Sequence, residues 1–449
     1  MRPGRCCLPF TGCLTAGSRR AQSKGSCWEL KVIVVGAGAA GLMAAFSAAR
    51  AGAVVTVIEK NERPGVKLAL TGNGRCNLTH VGEARELIGK IPGNGRFLYS
   101  ALHRFGPEEL RTVLAQLGVP TKVEGDGRVF PVSDRATDVI NGFERALQEM
   151  GVCWRKERAV QHLCISAGTV SGVVLTNGET LAADAVIVCT GGASYPKTGS
   201  TGDGYRLARE AGHQVVSPVP SLVPLESDEE WVKQLQGLAL RGVRVRGLQR
   251  GRLLCAETGD LLFTHFGLSG PVILLLSKMI APVLLEEAGS VSLSIDLTPK
   301  AGDDELAAEI QQVFNQHIRK TLKNALENLL PGGLVPVVLQ MAGISAQKPV
   351  HQVTREERRR LVKTIKDLLV ALSRPRPLAE AIVTAGGVSV KELNPQTMES
   401  KLVKRLYFAG EVVDVDGLTG GYNLQAAFAM GFLAGAAAAA GHKTAAGSG

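Results

Sequence analysis

Val32-Ile33-Val34-Val35-Gly36-Ala37-Gly38-Ala39-Ala40-Gly41 is followed, across an alanine-rich segment, by Val54-Val55-Thr56-Val57-Ile58-Glu59. The first run is short, apolar and β-branched, as a strand buried on both faces of a parallel sheet must be. G-x-G-x-x-G comes next, then a small-residue helix from Leu42 to Ala51 with Gly52 at the C-cap position. A second β-branched run ends in an acid. The glycines therefore stand inside a complete β-α-β unit, the context their dinucleotide-binding reading requires. Gly36 permits the tight turn, Gly38 lets backbone approach a pyrophosphate, and Gly41 lets helix and strand pack closely. The phosphates would lie on the positive helix N-terminus. Glu59 is placed to accept hydrogen bonds from a ribose diol, and its charge disfavours a 2′-phosphate, which argues against NADP at this position.

The 449 residues suffice for two or three domains, and 45% hydrophobic with 20% charged residues describes an ordinary globular chain. The formal charge of +10 is unevenly placed. Arg2, Arg5, Arg19, Arg20 and Lys24 lie in residues 1–28 with no acid, so that tail carries half of the excess. The rest is spread thinly over the body, and aromatic content is 4%, which offers little stacking platform for single strands. The expectation is a small-molecule substrate and no nucleic acid. Residues 1–28 lack an apolar stretch of signal-peptide length and are read as a disordered tail. The nine cysteines form no C-x-x-C pair, so neither a disulfide framework nor a metal site is expected, and the compartment is read as cytoplasmic. The alanine-rich segment after Ala426 is interrupted by Gly431 and Gly435 and reads as a buried helix, with no membrane span.

The chain divides into a tail (1–28), the first part of an FAD-type dinucleotide domain (29–195), a β-rich insertion (196–300), a helical insertion (301–378) and a return to the first domain (379–440). Helical spacing runs over Asp134–Met150, Asp303–Leu330 and Thr354–Ser373. The last opens on the capping box Thr354-Arg355-Glu356-Glu357 and carries the stripe Leu361, Ile365, Leu368, Leu369 and Leu372. Short strands and turns are expected between Gln214 and Thr298. The return is what separates FAD from NAD. A late strand, Leu406 to Gly410, leads to Glu411 and then to Gly417-Leu418-Thr419-Gly420-Gly421-Tyr422-Asn423-Leu424-Gln425-Ala426. Those paired glycines make a second helix N-terminus, suited to the flavin edge that gains negative charge on reduction. Val186-Ile187-Val188-Cys189-Thr190-Gly191-Gly192 is a third strand-to-glycine passage, and Val160 is placed for an adenine-facing contact.

Longer motifs carry a family resemblance. Lys67-Leu68-Ala69-Leu70-Thr71-Gly72-Asn73-Gly74-Arg75-Cys76-Asn77-Leu78-Thr79 is one. Others are Phe130-Pro131-Val132-Ser133-Asp134, Ser194 to Gly204, Phe263 to Pro271, Thr384 to Val388 and Gly410 to Ala426. Together they resemble the BaiN-like and aminoacetone-oxidase-like bacterial flavoproteins over about Lys31 to Leu433. The resemblance implies an α/β, Rossmann-like FAD-binding domain of the two-dinucleotide-binding-domain type, with an inserted β-barrel-like domain and a helical domain.

The expected cofactor contacts follow from both sources. They are Gly36, Gly38, Ala39, Ala40 and Gly41; Glu59 and Lys60; Lys67, Thr71, Gly74, Arg75, Cys76 and Asn77; Val160; Thr190, Gly191 and Gly192; Gly410 and Glu411; and Gly421, Tyr422, Asn423 and Leu424. The resemblance puts the Gly72–Asn77 loop at the redox edge. Catalytic candidates are Arg75, Cys76, Asn77, Tyr195, His265 and Tyr422, with Arg75 as a charge stabiliser and the hydroxyls or His265 as proton donors. Cys76 without a partner thiol reads as a packed residue. The implied activity is hydride transfer through flavin N5 from NAD(P)H to a C=C bond conjugated to a ketone. Two alternatives stand beside it: an oxidase of small amines using oxygen, and a flavin-bearing RNA-associated or redox-sensing protein without turnover.

Overall fold

The computed structural model describes residues 29–440, so the expected tail lies outside the described residues. Strand β1 (Lys31–Val35), helix α1 (Ala39–Arg50) and strand β2 (Val54–Ile58) form the expected unit. They sit in a five-stranded parallel sheet in the order Leu406–Phe408, Ala185–Val188, β1, β2, Cys153–Arg155. The fold is thus a Rossmann-type α/β fold. The late strand inserts beside Ala185–Val188, which is why the chain must return after its excursion.

Helix α1 is buried on nearly every side from Ala40 to Ala48. One face meets the sheet; the other meets the C-terminal helix Tyr422–Ala440. That helix is long and apolar enough to cross a membrane, but most of it is buried inside the protein. Its glycines explain the closeness. A Cβ built on Gly431 would lie 2.2 Å from the Ala40 carbonyl oxygen, and one on Gly435 the same distance from that of Ala44.

The β-rich excursion is a six-stranded sheet in the order Leu225–Glu226, Gly267–Ser269, Arg252–Thr264, Ala239–Gln249, Val291–Asp296, Leu368–Ala371, antiparallel throughout. Its apolar residues and those of the helices that follow form one hydrophobic core, separate from that of the Rossmann sheet. Helix Asp203–Glu210 packs into the first core through Tyr205, Leu207 and Ala208.

Three expected elements differ. The helix over Thr354–Ser373 ends at Lys366, and Leu368–Ala371 is an edge strand of the six-stranded sheet. Leu369 is accordingly 52% exposed rather than part of a stripe. Asp367 accepts hydrogen bonds from Ser294 and Arg246, and these bonds draw the chain onto the sheet. The helix over Asp303–Leu330 is two helices, Asp303–Gln316 and Leu322–Leu326. Within the expected strand-and-turn region stands a 16-residue helix, Pro271–Glu286; its nearly unbroken apolar run gives no period by which to recognise it.

Gly431→Ala is expected to destabilise the fold by about 1–3 kcal/mol, because the added methyl has only backbone to displace. Gly89→Ala, in open space within helix Ala84–Gly89, should be neutral or stabilising by up to ~1 kcal/mol. Thermal melts of the two variants check the contrast.

Candidate active site

A cavity of about 930 Å3 opens where the two cores meet. Its first wall is the β1–α1 turn. Gly36 has φ +95°, and a Cβ there would lie 2.6 Å from the Cys189 carbonyl oxygen. A Cβ on Gly41 would stand 1.8 Å from the oxygen of Gly36, so this glycine serves the packing beneath the turn. Beyond its two chain neighbours, no described protein atom lies within 4 Å of the Cβ position of Gly38, which lines the cavity. Helix α1 begins without a side-chain cap and without an acid in its first turn. Its leading N–H groups are left for a ligand. Glu59, 7% exposed, holds the turn from below. One carboxylate oxygen accepts from the Ala37 N–H and the other from the Asn61 N–H, both at 2.8 Å.

The second wall is the N-terminus of helix Tyr422–Ala440, again with no acid in the first turn. Asn77 reaches it across the cavity floor. In the amide orientation that satisfies both groups, its oxygen accepts from the Gly421 N–H and its nitrogen donates to the Thr79 carbonyl, each at 3.1 Å. Asn423 closes the approach loop, accepting from the Gly417 N–H at 2.7 Å and donating back to the Gly417 carbonyl at 3.0 Å. The Tyr422 ring stacks on His80 with centroids 5.3 Å apart. Burial and the nearby Asp126 raise the pKa of the Tyr422 hydroxyl, which keeps its proton more firmly than a free phenol.

Lys67, Ser194 and Glu411 tie these walls together. The Lys67 ammonium donates to Glu411 and to the Ser194 hydroxyl, both at 2.7 Å. Glu411 also accepts from the Thr384 N–H at 2.8 Å and from Ser194 at 3.0 Å. Thr190 lines the cavity, but its hydroxyl turns beneath the wall toward Gly204 and is buried there without a partner.

Most of the expected contacts line this cavity, from Gly38 and Glu59 through Thr71 and Val160 to Thr190, Glu411 and Leu424. Five of the expected site residues do not: Gly41, Gly74, Cys76, Gly192 and His265. Gly74 turns the loop, its N–H bonded to the Thr71 carbonyl at 3.1 Å. Gly192 is pressed against Thr384 and Glu411. His265 sits in the turn between two strands of the inserted sheet, edge-on to Phe266, and does not reach the cavity. Cys76 is fully buried, and burial pushes its thiol up to about 12. Arg75 is on the wall, but its guanidinium is committed. It donates to Glu124 and Asp134 and stacks on Phe130, 4.1 Å from the ring centre. Those two acids raise its pKa. Tyr195 lines the opposite side at φ +51°.

A third wall has no counterpart in the sequence reading. Leu222, Pro271, Leu274, Ile382 and Val383 give the cavity an apolar side where the inserted unit meets the Rossmann unit. No local pattern announces them, because they converge from three separate segments.

Residues 30–437 match the HI0933-like protein Rossmann domain. The chain belongs to the HI0933-like family. This is a family of FAD-dependent oxidoreductases, and the resemblance read from the motifs is to the same flavoproteins. The chain is 34% identical over 415 residues to a 3-dehydro-bile acid delta(4,6)-reductase of Clostridium scindens, covering 91% of this chain and 99% of that protein. It is 32% identical over 398 residues to a ribosomal RNA dihydrouridine synthase of Escherichia coli, covering 88% and 94% respectively. Among solved structures, a 3-ketosteroid delta1-dehydrogenase from Sterolibacterium denitrificans shares the fold with a TM-score of 0.51 and 16% identity, over 91% of this chain and 99% of that one.

With a pKa of about 12, roughly one Cys76 thiol in 10^4 is ionised at pH 8. Iodoacetamide at that pH should leave the Cys76 peptide unmodified while labelling the exposed Cys153, as peptide mass spectrometry would show. Rapid labelling of Cys76 in the folded protein would restore it as a reactive thiol.

Proposed function

We propose that this chain uses FAD, bound between the two helix N-termini, to add hydrogen across a C=C bond conjugated to a carbonyl. The open space over Gly38, the uncapped start of α1 and the acid-free first turn of helix Tyr422–Ala440 fit the group. When bound, FAD supplies a hydride at its N5. Residues of the β1–α1 turn would hold the pyrophosphate, Glu59 the adenosine ribose, and Glu411 with Lys67 the ribityl chain. The N–H groups of Tyr422 and Asn423 would meet the pyrimidine edge of the ring, that of Gly421 being bonded to Asn77. The acceptor would gain a hydride at its β-carbon and a proton at its α-carbon, with a reduced nicotinamide as the donor of the electron pair and oxidised nicotinamide as its product.

The observation that carries this reading is the apolar third wall, set against the polar cofactor walls. Such a wall excludes water from the acceptor and fits a flat apolar body. The bile acid reductase among the relatives acts, by its name, on a steroid. A second reading of the same chemistry is favoured by the two relatives named as ribosomal RNA dihydrouridine synthases. The C5=C6 bond of uracil is likewise conjugated to a carbonyl, so the reaction is shared and only the acceptor differs. The expectation of no nucleic-acid partner is therefore tested alongside the steroid.

The deciding experiment reduces the holoprotein anaerobically with NADH or NADPH, then mixes it with a 4-ene-3-ketosteroid or with unmodified ribosomal RNA. Reoxidation of the flavin with formation of the saturated product identifies the acceptor. Reoxidation by oxygen alone, with both acceptors inert, would overturn the reading in favour of an oxidase.

Two variant series accompany it. Glu59→Ala should weaken FAD binding by about 1.5–3 kcal/mol through loss of a charged hydrogen-bond acceptor, measurable by calorimetric titration of apoprotein. Tyr195→Phe or Tyr422→Phe should lower kcat by ~10²–10⁴-fold at full FAD content, whichever hydroxyl delivers the proton. Unchanged kcat in both would leave no tyrosine as the acid.

A further inference from the structure

The apolar wall is assembled from two units with separate cores, and one carboxylate joins them. Asp416, 3% exposed, lies in the loop between Glu411 and Gly421, which also supplies Val415 and Leu418 to the cavity. Its Oδ2 accepts from the Ser221 hydroxyl at 2.8 Å and from the Lys278 ammonium. Lys278 donates as well to the Asp416 carbonyl, at 3.1 Å. The Asp416 backbone pairs with Gly93, so the loop is also fixed from its outer side. Each partner stands next to the cavity. Ser221 precedes Leu222, which has φ +54°, and Lys278 is one helical turn beyond Leu274. Ser277 adds a bond of 2.9 Å from the Val223 N–H to its hydroxyl.

We infer that Asp416, paired with Lys278 and Ser221, is the positioning residue that holds the substrate end of the cavity closed over the flavin. A buried ion pair is a poor source of stability but a specific one of geometry, since moving either partner leaves a charge in an apolar surround. Here that geometry sets Leu222, Leu274 and Leu418 in one wall. The assignment rests on the cofactor and acceptor reading given above.

The test uses the holoprotein with Lys278→Met, and with Lys278→Met combined with Asp416→Asn in case the single variant leaves a buried charge that prevents folding. Two readouts are followed, neither requiring turnover: amide hydrogen exchange, and quenching of flavin fluorescence by iodide. The expected result is faster exchange confined to residues 218–224 and 411–421, and an iodide quenching constant raised roughly threefold or more. FAD content should be unchanged, and Lys278→Arg should behave as the unsubstituted protein. Unchanged exchange or unchanged quenching in the double variant overturns the assignment. So does faster exchange that extends through β1 and β2 with loss of FAD, which marks a merely structural pair. A protein that reduces neither acceptor sinks the functional reading and leaves the exchange result standing.

Discussion

The site depends on how closely three stretches of backbone approach at the carboxyl end of the parallel sheet. Gly36 rides against Cys189, Gly41 lies under Gly36, and the C-terminal helix meets α1 at Gly431 and Gly435. At each of these places a single methyl would collide with a carbonyl oxygen. The consequence is chemical as well as steric. With Gly38, which has no side chain to cap it, at its N-cap position, α1 starts at the cavity with its peptide dipoles unopposed. Glu59 takes up the Ala37 N–H just before that start and leaves those beyond it for a ligand. The second helix start repeats the arrangement, with Asn77 bonded to the Gly421 N–H.

Charge plays a smaller part than the basic composition suggests. Lys60 pairs with Asp203, Lys67 with Glu411, and Arg75 with Glu124 and Asp134. These three cations are thus compensated by carboxylates, while Arg158, also on the cavity wall, donates to the Glu157 carbonyl. Arg75 shows the distinction best. Its position after a glycine turn suggests a free cation at the redox edge; the structure gives it two acids and the face of Phe130. Its guanidinium is thereby tied to the small sheet of strands Thr79–His80, Thr121–Val123 and Arg128–Pro131.

What was legible in the sequence follows the range of the causes. The β-α-β turn is specified within about thirty residues, and each glycine has a local reason that a motif can express. The return through Gly410–Ala426 was legible for the same reason, since strand, acid and helix start are contiguous. The inserted unit was less so. The stripe that suggests a helix through Leu372 is broken at Asp367, whose side chain is engaged by Ser294 some seventy residues earlier. The apolar run of helix Pro271–Glu286 has no polar face to reveal its period because its exposed side also carries apolar residues, Met279 and Leu285 among them. Lys278 and Asp416 are separated by 138 positions, and nothing near either residue indicates the other. His265 was singled out by chemistry alone, and chemistry alone does not give a side chain its direction.

The division of labour between the two cores bears on how one reaction can serve unlike acceptors. Hydrogen addition to a steroid enone and to a uracil ring asks the same of the cofactor end: an ordered flavin and a water-free face. It asks different things of the far wall, which must fit either an apolar polycycle or a base carried on a polyanion. On the proposed reading that wall is drawn from Leu222, Pro271 and Leu274, and the latter two belong to the inserted unit, which is packed around its own core. Exchanging those side chains would reshape that wall without touching the backbone contacts at Gly36 and Gly41. The two tasks meet at the loop between Glu411 and Gly421, where Glu411 faces the cofactor walls and Asp416 faces the inserted unit. The six residues from Glu411 to Asp416 therefore carry the geometric link between the cofactor walls and the inserted unit.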